Sequence, residues 1–267
     1  MTHSHGDDDF KKGSISLAGA VGMGTGVMIG AGIFALTGQI AQLAGPYFAL
    51  SFVLGAIVSS FSAYSYIKMS NAWPSSGGIA MILQKTYGPG AIAAAAALLM
   101  ALSMVISESL VARTFATYVL RPFDIDGGPL VPMLAVGVIL FAFLVNISGN
   151  RSVGLLSIVM AVLKIGGISL FGIVAGGFSF PDAISSAGRF ELTGFVGSVA
   201  LSILAFKGFT TITNSGAEIT DPHRNVGRTI MISIAICTVV YLLVAFAVGS
   251  NLSIDQIVAA KDYSLAE

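Results

Sequence analysis

The chain has 267 residues, 55% of them apolar and 10% charged, with a formal net charge of zero and a mean hydropathy of +0.89. That balance describes an integral membrane protein, with the lipid bilayer as its first partner, and excludes an ordinary water-soluble core. Nothing in the charge points to nucleic acid, and a single cysteine, Cys237, excludes an intrachain disulfide.

Residues 1–12 form a polar tail in which Asp7, Asp8 and Asp9 stand against Lys11 and Lys12, a pattern unlike a transit peptide. His3 and His5 are read as tail residues, so neither a metal nor a cofactor is expected. About 20 apolar residues cross a hydrocarbon layer of roughly 30 Å as a helix. Seven such stretches lie between charges, Pro or Gly clusters: Ile15 to Leu43, Tyr47 to Ile67, Ala91 to Leu120, Leu130 to Ile147, Val153 to Phe178, Gly194 to Gly216 and Thr229 to Gly249. The first is too long and too Gly-rich for a cleavable signal peptide. With the N-terminus in the cytoplasm, the inner connections hold Lys11, Lys12, Lys68, Lys85, Arg151, Arg224 and Arg228, against Arg121, Arg189 and Lys261 outside. Positive charge collects on the inner side of short loops, so this orientation is expected.

The first span reads MIGAGIFALTG from Met28 to Gly38, inside a run from Gly13 to Ile67 without any Asp, Glu, Lys, Arg or His. Gly30, Gly32 and Ala35 match a dinucleotide fingerprint in letters only, because no acid follows until Glu108. Gly19, Gly22 and Gly26, three and four apart, are read as positions of close helix approach. Gly30 and Gly32 do not share a helix face, and a local break accounts for them better. Unwinding a helix in lipid leaves peptide groups unpaired at a cost of several kcal/mol each unless the break faces protein or a wet cavity. N–H groups opening a half-helix suit a carboxylate and freed carbonyls suit an ammonium, so a broken span points to a zwitterion such as an α-amino acid.

An inverted-repeat transporter requires a second interrupted span in its other half. The sixth span supplies LAFKGFTTITNSG, Leu204 to Gly216, with Lys207 and Gly208 near its start. The first and sixth spans are five apart, the offset of a five-plus-five repeat.

These motifs together resemble the amino acid-polyamine-organocation (APC) superfamily of amino acid permeases. The resemblance covers nearly the whole chain: GAGIF at Gly30 to Phe34, WPSSGG at Trp73 to Gly78, YGPG at Tyr87 to Gly90, AFKGF at Ala205 to Phe209 and EITDPHRNVGRTI at Glu218 to Ile230. It implies an all-α integral membrane protein with a five-plus-five inverted-repeat fold and broken first and sixth helices. Residues 13–192 would be the first five-helix repeat and 193–267 the start of the second with two helices, so that the fold is expected to be truncated after the seventh helix of the chain. It further implies that N–H groups around Gly30, Ala31, Gly32 and Ile33 hold a substrate carboxylate, and that carbonyls near Ile29, Phe206 and Gly208 receive its amino group. Lys207 departs from the family pattern, where this place is usually uncharged, and Thr210 stands where some members carry an acidic gate.

Charges inside spans are functional candidates because burying one at mid-depth costs about 2.5 to 3.5 kcal/mol. Arg113 lies within reach of the outer interface and is read as snorkelling. Lys164 sits centrally in the fifth span among Leu163, Ile165 and Gly166. The resemblance places a fifth-helix lysine where related transporters bind an ion, which makes Lys164 the candidate for proton coupling. Lys207 is read either as an attractant for an anionic substrate side chain or as a silent ion pair with Glu108. The segment Glu218 to Arg228 reads as a short solvated connector, to which the resemblance adds a role in inner gating.

The expectation is therefore a plasma-membrane permease that moves an amino acid by proton coupling or exchange, and not an enzyme. The seventh span holds no lysine for a retinal, and no H-E-x-x-H, G-x-S-G or paired membrane aspartates are present. The alternatives are a channel and a non-transporting fragment, since Asp255 to Glu267 reads as a connector with no span after it. The amino acid and the oligomeric state are not legible.

Overall fold

A computed structural model of the chain describes residues 13–123, 128–147, 150–176 and 191–260. The N-terminal histidines, Arg189 and Lys261 lie outside the described residues. Among the described residues the regular structure is helical, apart from an isolated parallel bridge between Ile15 and Ile219.

The first predicted span is three helices rather than one: α1 (Leu17–Met28), α2 (Ala31–Phe34) and α3 (Thr37–Ala44). Ser16 caps α1, its Oγ accepting from the Gly19 N–H at 3.1 Å. Gly45 ends α3 with a φ of 55°, a left-handed turn that favours glycine, and the chain enters α4 (Phe48–Ala72). α4 runs past the predicted end at Ile67 because Lys68 lies along it with Nζ 5.4 Å from the Tyr64 ring centre. Trp73 stops it, as the residue before Pro74 disfavours the helical region.

The connection to the third span holds a helix that was not expected, α5 (Gly78–Tyr87). There follow α6 (Ala91–Leu120), α7 (Leu130–Ile147), α8 (Asn150–Gly176), α9 (Leu192–Phe206), α10 (Phe209–Asn214), α11 (Pro222–Asn251) and α12 (Ile254–Ala259). Among the described residues, five stretches are long and apolar enough to cross a membrane: Leu17–Phe34, Thr37–Ala72, Ala91–Phe123, Leu192–Asn214 and Pro222–Asn251. The apolar parts of α7 and α8 are the shorter Leu130–Val145 and Val162–Val174.

Two connectors are more helical than their polarity implied. α11 begins at Pro222, before the predicted Thr229, because proline at the first helical position gives up only an N–H that has no intrahelical partner. Beyond Leu252, a capping box between Ser253 and Gln256 starts α12 where a plain connector was expected.

The core lies where α1, α4, α9, α10 and α11 meet, around the fully buried Met28, Ile33, Phe48, Phe52, Phe206, Ile212 and Tyr241. Lipid offers helices no hydrophobic gain on association, so close approach and buried hydroxyl pairs carry the packing. A Cβ at Gly24 would stand 2.5 Å from the Ile212 side chain, and one at Gly55 would stand 2.6 Å from Ser202. The Ser51 and Ser198 hydroxyls join α4 to α9 at 2.7 Å. The close approach expected at Gly22 is not there: a Cβ at that position meets nothing within 4 Å. α6 and α7 meet through Ala112, Ala116 and Ala135 and expose Leu99, Ile106, Phe141 and Leu144, a face suited to lipid.

At the end where α1 starts, α4 stops and α11 starts, backbone pairs tie three segments together. Ile15 N–H donates to Glu218 O and Thr220 N–H donates to Ile15 O, both at 2.9 Å. Asn71 Oδ1 accepts from the Gly227 N–H at 3.0 Å, and His223 Nδ1 lies 2.7 Å from Asn71 O.

Candidate functional site: two helix breaks bridged by a tyrosine

α1 ends at Met28 and α2 starts at Ala31, so the α-helical ladder lapses at Ile29 and Gly30. Ile29 leaves the helical region with a ψ of 83°, and the Gly30 N–H turns back to Met28 O at 2.9 Å. The N–H groups of Ala31, Gly32 and Ile33 thereby become the first turn of α2, where a helix has no acceptor to offer them. The Phe34 N–H finds Gly30 O at 3.1 Å, which restarts the ladder. In the sixth span α9 ends at Phe206 and α10 starts at Phe209. There the ladder shifts to three-residue spacing, with the Lys207 N–H on Leu204 O and the Thr210 N–H on Lys207 O, each at 3.1 Å.

The two breaks touch. A Cβ at Gly208 would stand 2.9 Å from Met28 N, and one at Gly32 would stand 2.5 Å from Tyr241 Oη and 2.9 Å from Ala205 O. Close packing is therefore what Gly32 serves, whereas Gly30 has room: its nearest neighbours would be Val27 O at 3.6 Å and Lys164 Nζ at 3.8 Å. Tyr241 of α11 is fully buried and spans both interruptions. Its hydroxyl donates to Met28 O at 2.6 Å and lies 3.1 Å from Ala205 O, the last turn before each break.

A profile of the amino acid permease family matches residues 15–266 of the chain. The chain belongs to the amino acid permeases, a family of the APC superfamily. It is 31% identical over 271 residues to the inner membrane transport protein YbaT of Escherichia coli, covering all of this chain and 62% of YbaT. It is 29% identical over 239 residues to the methylthioribose transporter of Bacillus subtilis, covering 84% of this chain and 52% of that protein. With the branched-chain amino acid permease BcaP of Lactococcus lactis it shares 28% over 246 residues, covering 83% of this chain and 52% of BcaP. The permease chain thus spans about half to three-fifths of the length of these relatives.

Within this permease chain, Lys164 of α8 reaches the first break, its Nζ donating to Gly26 O at 3.2 Å in the turn before the lapse. The expected ion pair between Glu108 and Lys207 is absent among the described residues: Lys207 Nζ donates to Ser103 Oγ instead. Five residues separate Ser103 from Glu108, about 140° around a helix. Thr210 Oγ1 donates to Lys207 O at 3.0 Å, holding the carbonyl beside the second break. Arg113 is exposed and lines a cavity with Gln39, Thr114 and Thr117 near the start of α3.

The sequence reading missed Tyr241, Ser103 and Tyr118, whose hydroxyl donates to Phe34 O at 3.1 Å. Tyr241 stands in the run VVYLLV, where one phenolic oxygen among aliphatic residues was the available signal, since a buried hydroxyl needs a partner.

Proposed function

We propose that the chain forms the substrate-binding half of a secondary transporter that moves an α-amino acid across the cytoplasmic membrane by proton coupling or exchange. The observation that carries this reading is the contact between two interrupted membrane helices, with Gly208 against Met28 and Tyr241 across both. Such a junction sets helix-start N–H groups next to unwound carbonyls, the complement of a zwitterion. The substrate carboxylate is assigned to the N–H groups of Ala31, Gly32 and Ile33. Its ammonium is assigned to carbonyls at Ile29, Phe206 and Gly208. Branched-chain amino acids are what the name of BcaP gives as its substrates, which supports this class, although the methylthioribose transporter carries a different one.

Lys164 is assigned the coupling role because its ammonium occupies a carbonyl in the turn before the first break. A proton lost there releases Gly26 O and alters the charge felt by the substrate. The N-terminus is assigned to the cytoplasm, and the five-plus-five inverted repeat is the architecture that the matched breaks support. The bonds joining Ile15, Glu218 and Thr220 support an inner closing role for the connector.

Equilibrium binding of L-amino acids to the purified full chain in lipid nanodiscs tests the site. Saturable binding of at least one L-amino acid is expected, and its abolition in Gly32→Leu, which fills the junction, is expected with it. Absence of binding across the common amino acids overturns the reading. Uptake into proteoliposomes that saturates separates a carrier from a channel.

A further inference from the structure

We propose that the cavity beside the sixth-span break is a subsite for the side-chain carboxylate of an acidic amino acid. This rests on the reading of the breaks as a zwitterion site and names the substrate class. The cavity, about 210 Å³, is lined by Lys207 and Thr210 together with Ser59, Tyr66, Met100 and Met104. Lys207, Phe209 and Thr210 stand on the edges of the break itself, so the cavity adjoins the second of the two interruptions.

Three features point to a carboxylate. Lys207 brings an ammonium with three N–H donors and engages Ser103, a neutral hydroxyl that leaves the charge uncompensated. Among the described residues, no Asp or Glu lines the cavity. A lone cation at membrane depth calls for an anion. Ser59 is 1% exposed and its Oγ has no hydrogen-bond partner, which is rare for a buried hydroxyl and leaves one O–H donor for a ligand oxygen. Met100, Met104, Ile203 and Phe209 provide the apolar wall that the methylenes of a glutamate or aspartate side chain require.

The test compares L-glutamate, L-glutamine, L-leucine and acetate binding to the full chain in nanodiscs, for wild type, Lys207→Met and Lys207→Arg. The expected result is a wild-type preference for glutamate over glutamine of about tenfold or more. It is retained in Lys207→Arg and lost in Lys207→Met, with glutamine binding within about twofold of wild type in both variants. Glutamine and leucine binding with no preference for glutamate overturns the subsite and leaves the zwitterion site standing. A glutamate preference that survives Lys207→Met also overturns it. Acetate binding as tightly as glutamate identifies a free-anion site and overturns the assignment to a substrate side chain. No binding by any of the amino acids overturns the zwitterion site and the subsite with it.

Discussion

Replacing Gly208 by alanine tests whether the two breaks must touch. Gly208 has φ −56° and ψ −18°, so alanine meets no backbone strain, and helix propensity alone favours the change by up to about 1 kcal/mol. Against that, the new Cβ would lie 2.9 Å from Met28 N and 3.1 Å from Met28 Cα, inside the ordinary contact range that starts at 3.4 Å. These are backbone atoms held by Tyr241 and cannot rotate away, so α1 and α10 must part by several tenths of an ångström. Overpacking of that kind costs about 1 to 3 kcal/mol, which leaves a net loss of roughly 1 to 2 kcal/mol and a displaced junction. Gly30→Ala is the internal control, since its Cβ would find nothing nearer than 3.6 Å. Thermal unfolding in detergent should fall for Gly208→Ala and stay near wild type for Gly30→Ala. Equal behaviour of the two variants would refute the contact argument, because the sequence gives the two glycines no other distinction of this kind.

Tyr241→Phe keeps the ring packed against Phe52 and Phe206 and removes only the bond to Met28 O and Ala205 O. A loss of about 1 to 3 kcal/mol is expected in denaturant or thermal unfolding, with weaker amino acid binding, since the buried Met28 carbonyl loses its hydroxyl donor. Lys164→Gln preserves a donor near Gly26 O without a titratable charge. Its fold, read by circular dichroism and monodispersity, should match wild type, while uptake driven by an imposed pH gradient into proteoliposomes should be lost. Unchanged pH-driven uptake would remove Lys164 from the coupling step.

The features legible in the sequence were those set by local chemistry. Glycine in a charge-free run announced the interruption in the first span, and Lys207–Gly208 announced the one in the sixth, because lipid makes a helix obligatory elsewhere. What escaped depends on contacts across the fold. Gly32 looked like a break residue, but its need for a bare Cα comes from Tyr241 and Ala205, which lie more than 170 positions along the chain. Tyr241 itself resembled another core aromatic until both its acceptors were in place. The start of α11 was available in the Asp221–Pro222 pair, yet the charges of Arg224 and Arg228 drew the boundary to Thr229, where apolarity rather than helicity begins. Of the two readings of Lys207, the pair with Glu108 has no counterpart among the described residues, where Lys207 reaches Ser103, because opposite charges on neighbouring helices do not fix which partner each side chain meets.

The distribution of donors and acceptors at the first break also ranks the two ends of the substrate. Several carbonyls that flank the lapse are already engaged: Gly26 O by Lys164, Met28 O by both Tyr241 and the Gly30 N–H, and Gly30 O by the Phe34 N–H. The N–H groups of Ala31, Gly32 and Ile33 open a helix turn that supplies them no acceptor, and the positive end of its dipole adds to their pull. Lys164 further disfavours a second cation in its vicinity. If an amino acid binds as proposed, it is expected to be anchored first by its carboxylate, with the ammonium the weaker contact. Converting the carboxylate of a bound amino acid to the amide should weaken binding more than replacing its α-ammonium by a 2-oxo group, with a difference of about tenfold as befits a charge-assisted bond. Competition binding with matched pairs of amino acid amide and 2-oxo acid measures this directly. If the 2-oxo acid loses more affinity than the amide, the carbonyls and not the N–H groups hold the substrate, and the assignment of the first break must be reversed.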